Sequence, residues 1–169
     1  MQPPHPATIA PDELQRDCAV THTKGSGPGG QHRNKVQTAV VLKHQPTGLT
    51  GQASDSRSQV QNQAAALFRL RLRLALELRL ELEQLPSASA LWRGRCDKAG
   101  RLKVNEAHAD FPSLLSEALD CIWYTKDVKE AAAALGVSNS QLLKLLKQER
   151  RAFEFVNALR ASQGLKPLT

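Results

Sequence analysis

The chain has 169 residues, 41% of them hydrophobic, and carries 23 Lys/Arg against 16 Asp/Glu for a net charge of +7. That size supports one main core with at most a small appendage, and the charge selects a polyanionic partner. No window approaches the roughly 18 to 20 apolar residues that span a bilayer, and Cys18, Cys96 and Cys121 form no CxxC pair, which argues against a membrane protein, a disulfide framework and a metal site.

Residues 1–12 are proline-rich and without periodicity, and read as a disordered lead-in. Met1 to Asp17 has neither the charge pattern of a secretory signal nor that of an Arg-rich transit peptide, so the expected compartment is the cytoplasm. Cys18 to Thr23 reads as a first strand. It feeds Gly25-Ser26-Gly27-Pro28-Gly29-Gly30-Gln31, four glycines and a proline in seven residues, followed by His32-Arg33-Asn34-Lys35. Such a run belongs to neither helix nor strand. Its glycines lack side chains to pack and visit positive φ freely, so it suits a loop whose backbone approaches a partner closely. The Walker loop is excluded because no Gly-Lys-Ser/Thr follows, and the spacing Gly25-x-Gly27-x-x-Gly30 leads into a strand-like run instead of a helix.

Val36 to His44 and Leu49 to Ala53 form an expected hairpin across the turn residues Gln45-Pro46-Thr47-Gly48. Ser54 to Ser58 opens a helix, with Ser56 and Gln59 at capping-box spacing. From Leu70 to Leu82 leucine occupies every even position, which is the period of a strand, yet no β-branched residue occurs between Gln61 and Leu85. Residue type favours helix, ended by Pro86, with a second apolar stripe to be covered by the residues that follow. Ser87 to Ala90 reads as a linker. Arg93, Arg95, Lys98, Arg101 and Lys103 then form a second basic segment, with a turn at Ala99-Gly100 and a short strand over Arg101 to Asn105; a solvated edge and an RNA contact suit it equally.

Three helices are expected beyond it: Pro112 to Tyr124, Lys126 to Leu135 capped by Thr125, and one capped by Ser138 through Ser138-x-x-Gln141. Asp127 to Lys147 is similar to a helix-turn-helix, with alanines for close crossing, Gly136 for a left-handed turn, and Asn139, Ser140, Gln141, Lys144 and Lys147 on the second helix. A plain helical bundle uses the same residues, and both readings stand.

The charge is concentrated. Residues 18–73 hold eight Lys/Arg against the single acid Asp55, whereas residues 1–17 sum to −2 and residues 74–169 to +2. The basic surface therefore travels with the Gly-rich segment.

The blocks Ser26-Gly27-Pro28-Gly29-Gly30-Gln31-His32 with Asn34-Lys35, Thr38-Ala39-Val40, His44-Gln45-Pro46-Thr47-Gly48 and Ser56-Arg57-Ser58-Gln59 resemble, in order and spacing, the catalytic region of class I peptide-chain release factors and of the related rescue peptidyl-tRNA hydrolases. The resemblance covers about residues 13 to 80. It implies an α+β fold, with a small mixed sheet, a flexible GGQ loop and a long packing helix, and the residues that follow read as a helical C-terminal extension. The division expected is 1–12 lead-in, 13–105 catalytic domain and 106–169 helical subdomain.

The reaction implied is hydrolysis of the peptidyl-tRNA ester in the peptidyl transferase centre, on a ribosome whose large-subunit rRNA and P-site peptidyl-tRNA are the partners. Gly29, Gly30 and Gln31 carry the chemistry in that reading. The Gln31 backbone N–H stabilises developing oxygen charge, and its side-chain amide places water. Lys24, His32, Arg33, Asn34, Lys35, Arg57 and Gln59 hold RNA or support the loop. No cofactor or metal is implied, a general-base role for His32 has no sequence partner to fix it, and the esterase motif GxSxG is absent. A glutamine methyltransferase acting on Gln31 is a further implied partner of what is expected to be a monomer. The short stretch before Gly25 leaves no room for codon reading, so codon-independent release is the expectation. The alternative is a nucleic-acid-binding module without hydrolytic activity.

Overall fold

In a computed structural model, which describes residues 4–23 and 38–169, the chain divides into two compact units, one up to Leu74 and one from Ala75. In the first unit a 3-10 turn and the start of a helix lie within residues 4–12, part of the stretch 1–12 expected to be a disordered lead-in. Pro6–Thr8 makes a 3-10 turn capped by the His5 ring, which accepts the Ala7 N–H at 3.0 Å, and α1 (Pro11–Arg16) begins on a proline whose fixed φ suits a first helical turn. Burial explains the order: Ala7 and Leu14 are fully enclosed, and Arg71 donates to the Ala7 carbonyl at 3.2 Å.

Three strands follow, β1 (Cys18–Thr23), β2 (Ala39–His44) and β3 (Thr50–Ala53), in the order β1-β2-β3. Both pairs are antiparallel, so the sheet is antiparallel throughout where a mixed one was expected. The 45–48 turn closes as the sequence predicts. Gly48 takes φ +72 and donates to the His44 carbonyl at 2.8 Å, while the buried His44 ring bonds the Thr47 hydroxyl at 2.8 Å. Burial holds the His44 ring below its ordinary pKa, against the opposing pull of Asp17.

The long helix α2 (Gln59–Glu77) buries Ala66, Leu67, Leu70 and Leu74, and meets β3 at Ala66 and Leu70. Residue type thus overrides the even-numbered leucine period. Gly51 of β3 permits the close approach: a Cβ there would lie 2.3 Å from the Ala66 carbonyl oxygen and 2.5 Å from the Leu70 nitrogen. The alternating arginines turn back to the first unit's own backbone. Arg69 donates to the Gln52 carbonyl at 2.8 Å and pairs with Asp55, and Arg73 reaches Thr50 Oγ1 at 3.2 Å. Charge that composition attributes to a binding surface is therefore partly spent on holding helix to strand.

Two ends of α2 depart from expectation. At its start Ser58, not Ser56, accepts the N–H of the residue three ahead, Gln61, at 3.4 Å; Ser56 instead accepts from Ser58 N and offers its own N–H to Asn62. At its other end the helix stops at Glu77, nine residues before Pro86. The Arg79 guanidinium takes the Ala75 and Leu76 carbonyls at 2.8 and 2.7 Å, and the Leu80 N–H goes to Asp120 at 3.2 Å instead of continuing the helical ladder. Arg79 also pairs with Asp120 at 3.4 Å and lies over the Phe155 ring. Burial outweighs their attraction: it lowers the Arg79 pKa and raises that of Asp120 to about 6.

The second unit is helical. Ser89 caps α3 (Ala90–Arg95) in the stretch expected to be a linker, and Glu117 accepts both the N–H and the hydroxyl of Ser89. The short strand expected over 101–105 is reduced to one bridge, Cys96 to Leu102, because residues 97–101 close as a tight turn around Asp97. Four helices complete the unit: α4 (Phe111–Thr125), α5 (Val128–Ala134), α6 (Asn139–Lys147) and α7 (Arg150–Ser162). The expectation was three. Lys126 takes φ 57 and ends α4, so Asp127, not Thr125, caps α5 through the Lys129 and Glu130 N–H groups. Gly136 takes φ 68 and Ser138 caps α6 through Gln141 N, as the sequence predicts, so α5 and α6 have the helix-turn-helix outline. Among the described residues no helix is long and apolar enough to cross a membrane.

Candidate functional site

Lys24, Gly25 to Gln31, His32, Arg33, Asn34 and Lys35 lie outside the described residues, as do Val36 and Gln37. What the structure describes is the frame on either side of them. Strand β1 ends at Thr23, and Thr23 is the register partner of Ala39 at the start of β2. The antiparallel pairing from Cys18–His44 to Thr23–Ala39 therefore brings the two flanks of the 24–37 segment side by side.

The N-terminal turn of α2 secures both flanks. Gln59 Nε2 donates to His22 Nδ1 at 2.8 Å, one residue before Thr23. Asn62 holds the other flank: its Nδ2 donates to the Thr38 carbonyl at 2.6 Å and to the Ser56 carbonyl at 2.8 Å, and its Oδ1 accepts the Ser56 N–H at 2.9 Å. Asn62 is 1% exposed, and three bonds satisfy most of its capacity. Two side chains on successive turns of one helix thus fix the frame. The Gln59 contact is exposed to solvent, and the Asn62 cluster is enclosed.

Of the predicted site residues in the described part, Gln59 makes the contact with β1, and Arg57 is exposed in the turn preceding α2. His22 and Asn62 were not singled out from sequence. Asn62 lies in the run Gln59-Val60-Gln61-Asn62-Gln63, where nothing in residue type separates a buried amide from a solvated one. A signal was present, since Asn62 falls one helical turn after Ser58, where a polar side chain can reach back over a helix N-terminus. The partner at Thr38 is 24 residues away and is not encoded locally.

Acidic charge is scarce in this part of the chain. Asp55, the single acid between residues 18 and 73, is paired with Arg69 at 2.8 Å. Arg57 and Lys43 are exposed, leaving positive charge for a polyanion on the same unit.

Comparison with known proteins gives partial sequence matches to peptide chain release factors. The chain is 43% identical over 63 residues to Peptide chain release factor 1 of Methylibium petroleiphilum, covering 34% of this chain and 18% of the relative. It is 40% identical over 90 residues to Peptide chain release factor 1 of Rickettsia typhi, covering 53% of this chain and 25% of the relative. Peptide chain release factor 2 of Campylobacter fetus is 41% identical over 59 residues, 35% of this chain and 16% of that protein. The chain thus spans a quarter or less of the length of these relatives. Residues 7–108, more than half of the chain, match the RF-1 domain, the GGQ-containing domain of class I release factors, and the chain belongs to that family.

Proposed function

We propose that this protein hydrolyses the ester joining a nascent peptide to P-site tRNA in the peptidyl transferase centre, and that it does so on stalled ribosomes without reading a codon. The observation that carries this reading is the frame around residues 24–37. Register pairing of Thr23 with Ala39, the Gln59–His22 contact and the buried Asn62–Thr38 contact give a glycine-rich segment a fixed base.

Within that reading Gly29 and Gly30 keep bulk out of a narrow RNA-walled site. The Gln31 backbone N–H donates to the oxygen that gains charge as water attacks the ester carbonyl, and the Gln31 side-chain amide orients the water and disfavours larger nucleophiles. Lys24, His32, Arg33, Asn34 and Lys35 contact rRNA around the tip, with Arg57 at the base. Gln31 is also the residue that a glutamine methyltransferase would modify. Residues 13–105 are assigned the hydrolytic part and residues 106–169 recruitment to the ribosome. Phosphate-directed recruitment carries no sequence information, which is what release independent of the codon requires.

Single-turnover peptide release from purified stalled ribosomes tests both parts. Gly29→Ala, which adds a side chain at the tip, is expected to slow release about 100-fold or more while ribosome binding persists. Release by the Gly29→Ala protein at the wild-type rate would remove the catalytic assignment. Complexes with a stop codon, a sense codon or no codon in the decoding site are expected to release at equal rates. A dependence on the stop codon would leave the hydrolytic reading intact and overturn the rescue reading.

A further inference from the structure

Within the second unit, residues 102–108 and helix α6 face each other across an open cleft of about 320 Å³. Its polar lining is Lys103, Asn105, His108, Gln141, Lys144 and Gln148, over an aliphatic floor, and no carboxylate lines it. We propose that this cleft is a second RNA-binding site, in which Lys103 and Lys144 contact successive backbone phosphates and the amides between them meet the sugars. The choice of RNA rests on the release reading above; the binding chemistry does not.

Both walls are built. On one side Asp97 accepts the Ala99 and Arg101 N–H groups and Lys103 N–H donates to the Arg95 carbonyl at 2.8 Å, while Arg95 Nε pairs with Asp110 at 2.7 Å. These bonds from the Asp97 turn and at Asp110 hold the 95–110 stretch in place. His108 Nδ1 accepts the Asp110 N–H at 3.1 Å, which leaves the ring proton on Nε2 as a donor. On the other side Leu142, Leu145 and Leu146 are buried and Lys144 is exposed, so the α6 core contact fixes where the Lys144 chain emerges.

Two acids near the cleft, Asp97 and Asp110, are engaged, and Glu106, exposed in the same stretch, is not among the lining residues. Asp97 lies 2.9 Å from Arg101 and 3.6 Å from Lys103, and Asp110 pairs with Arg95. Arg101 can retain Asp97 when Lys103 turns to a phosphate. A cleft that is open, donor-rich and cationic suits a charged strand passing through it better than an enclosed apolar ligand. The site also joins two sequence features that the GGQ reading leaves unused, the second basic segment and the helix-turn-helix outline.

Equilibrium binding of the full chain to a fluorescein-labelled single-stranded RNA, measured across a range of salt, tests the site. Each phosphate contact on a single strand contributes about 0.7 to the slope of log K against log salt, so Lys103→Gln with Lys144→Gln should lower its magnitude by about 1.4. The same arithmetic makes binding about 25-fold weaker near 0.1 M salt, with the difference vanishing toward about 1 M. Lys129→Gln with Lys166→Gln removes equal charge from exposed positions outside the cleft, and is expected to change binding less than about 3-fold. Lys103→Arg with Lys144→Arg should retain the wild-type slope, and unchanged melting temperatures would place the effect in binding. Equal behaviour of the two Gln pairs, or an unchanged slope in the first, would overturn the site. Peptide release by these variants is a separate readout, so failure of the cleft and failure of the hydrolytic reading remain distinguishable.

Discussion

The two units hold their elements by different means. Up to Leu74, order depends on side chains that cross long stretches of sequence to reach backbone: Asn62 to Thr38, Arg71 to Ala7, Arg73 to Thr50. From Ala75 on, four helices begin on local caps, with Ser89, Asp127, Ser138 and Glu149 each accepting an N–H just ahead, and long-range bonds to Asp120 and Glu117 are added to these. A frame braced by a few distant polar contacts concentrates its sensitivity in those residues, and a helical stack spreads it over many caps and buried leucines. The first arrangement suits a base that must hold two chain ends at a set separation. The second suits a surface.

Asn62→Ala should break this contrast most severely. It removes three hydrogen bonds and leaves the Thr38 carbonyl and both backbone groups of Ser56 without that partner, a loss of about 3 kcal/mol in denaturant unfolding. If the first unit is a frame for residues 24–37, peptide release by the folded variant at low temperature should fall as well. An Asn62→Ala protein of wild-type stability would show that the brace is incidental.

A pH titration of stability sharpens the picture at the end of α2. The Asp120 carboxyl is raised to about 6 in the folded chain, above its ordinary value near 3.8. The folded state therefore holds a proton that the unfolded chain releases. This contribution is complete below about pH 4 and is lost as pH rises through about 6. Asp120→Asn should flatten this segment of the stability curve; an unchanged slope between those limits would mean that another group carries it.

The smallest effect is expected at a cap. Ser138→Ala should cost about 1 kcal/mol, read as a small drop in melting temperature, and leave release on stalled ribosomes unchanged. A loss of several kcal/mol would mean that the helical unit is as brittle as the frame.

What the sequence discloses follows the range of the contacts, in both units. The bounds of β1, the turn at Gly48 and the cap at Ser138 rest on residues within one turn of each other, and all were legible. The end of α2 was not, because the groups that stop it include Asp120, forty residues onward, while Pro86 advertises a stop that comes too late. Asn62 was missed for the same reason, since a buried asparagine and a solvated one look alike until the partner is known. The fourth C-terminal helix, α7, was missed because Glu149 follows α6 at once, capping the next helix without the glycine or proline that usually announces a boundary. Residue type alone gives the glycine-rich tip a loop suited to close backbone approach, the chemistry expected of it comes from the resemblance, and it lies outside the described residues.

Gly51 sets a further consequence. Because β3 meets α2 there at the Ala66 carbonyl, the Leu70 nitrogen and the Leu70 Cβ, their separation is a matter of atomic radii. Drift among the leucines of the surrounding core can change how well the unit is filled, but it has little leverage on the gauge between strand and helix. The distance from the Asn62-bearing helix to the sheet carrying Thr23 and Ala39 is thus insulated from size changes among those leucines. Its tolerance to substitution should be a step function: wide at the leucines, closed at one glycine.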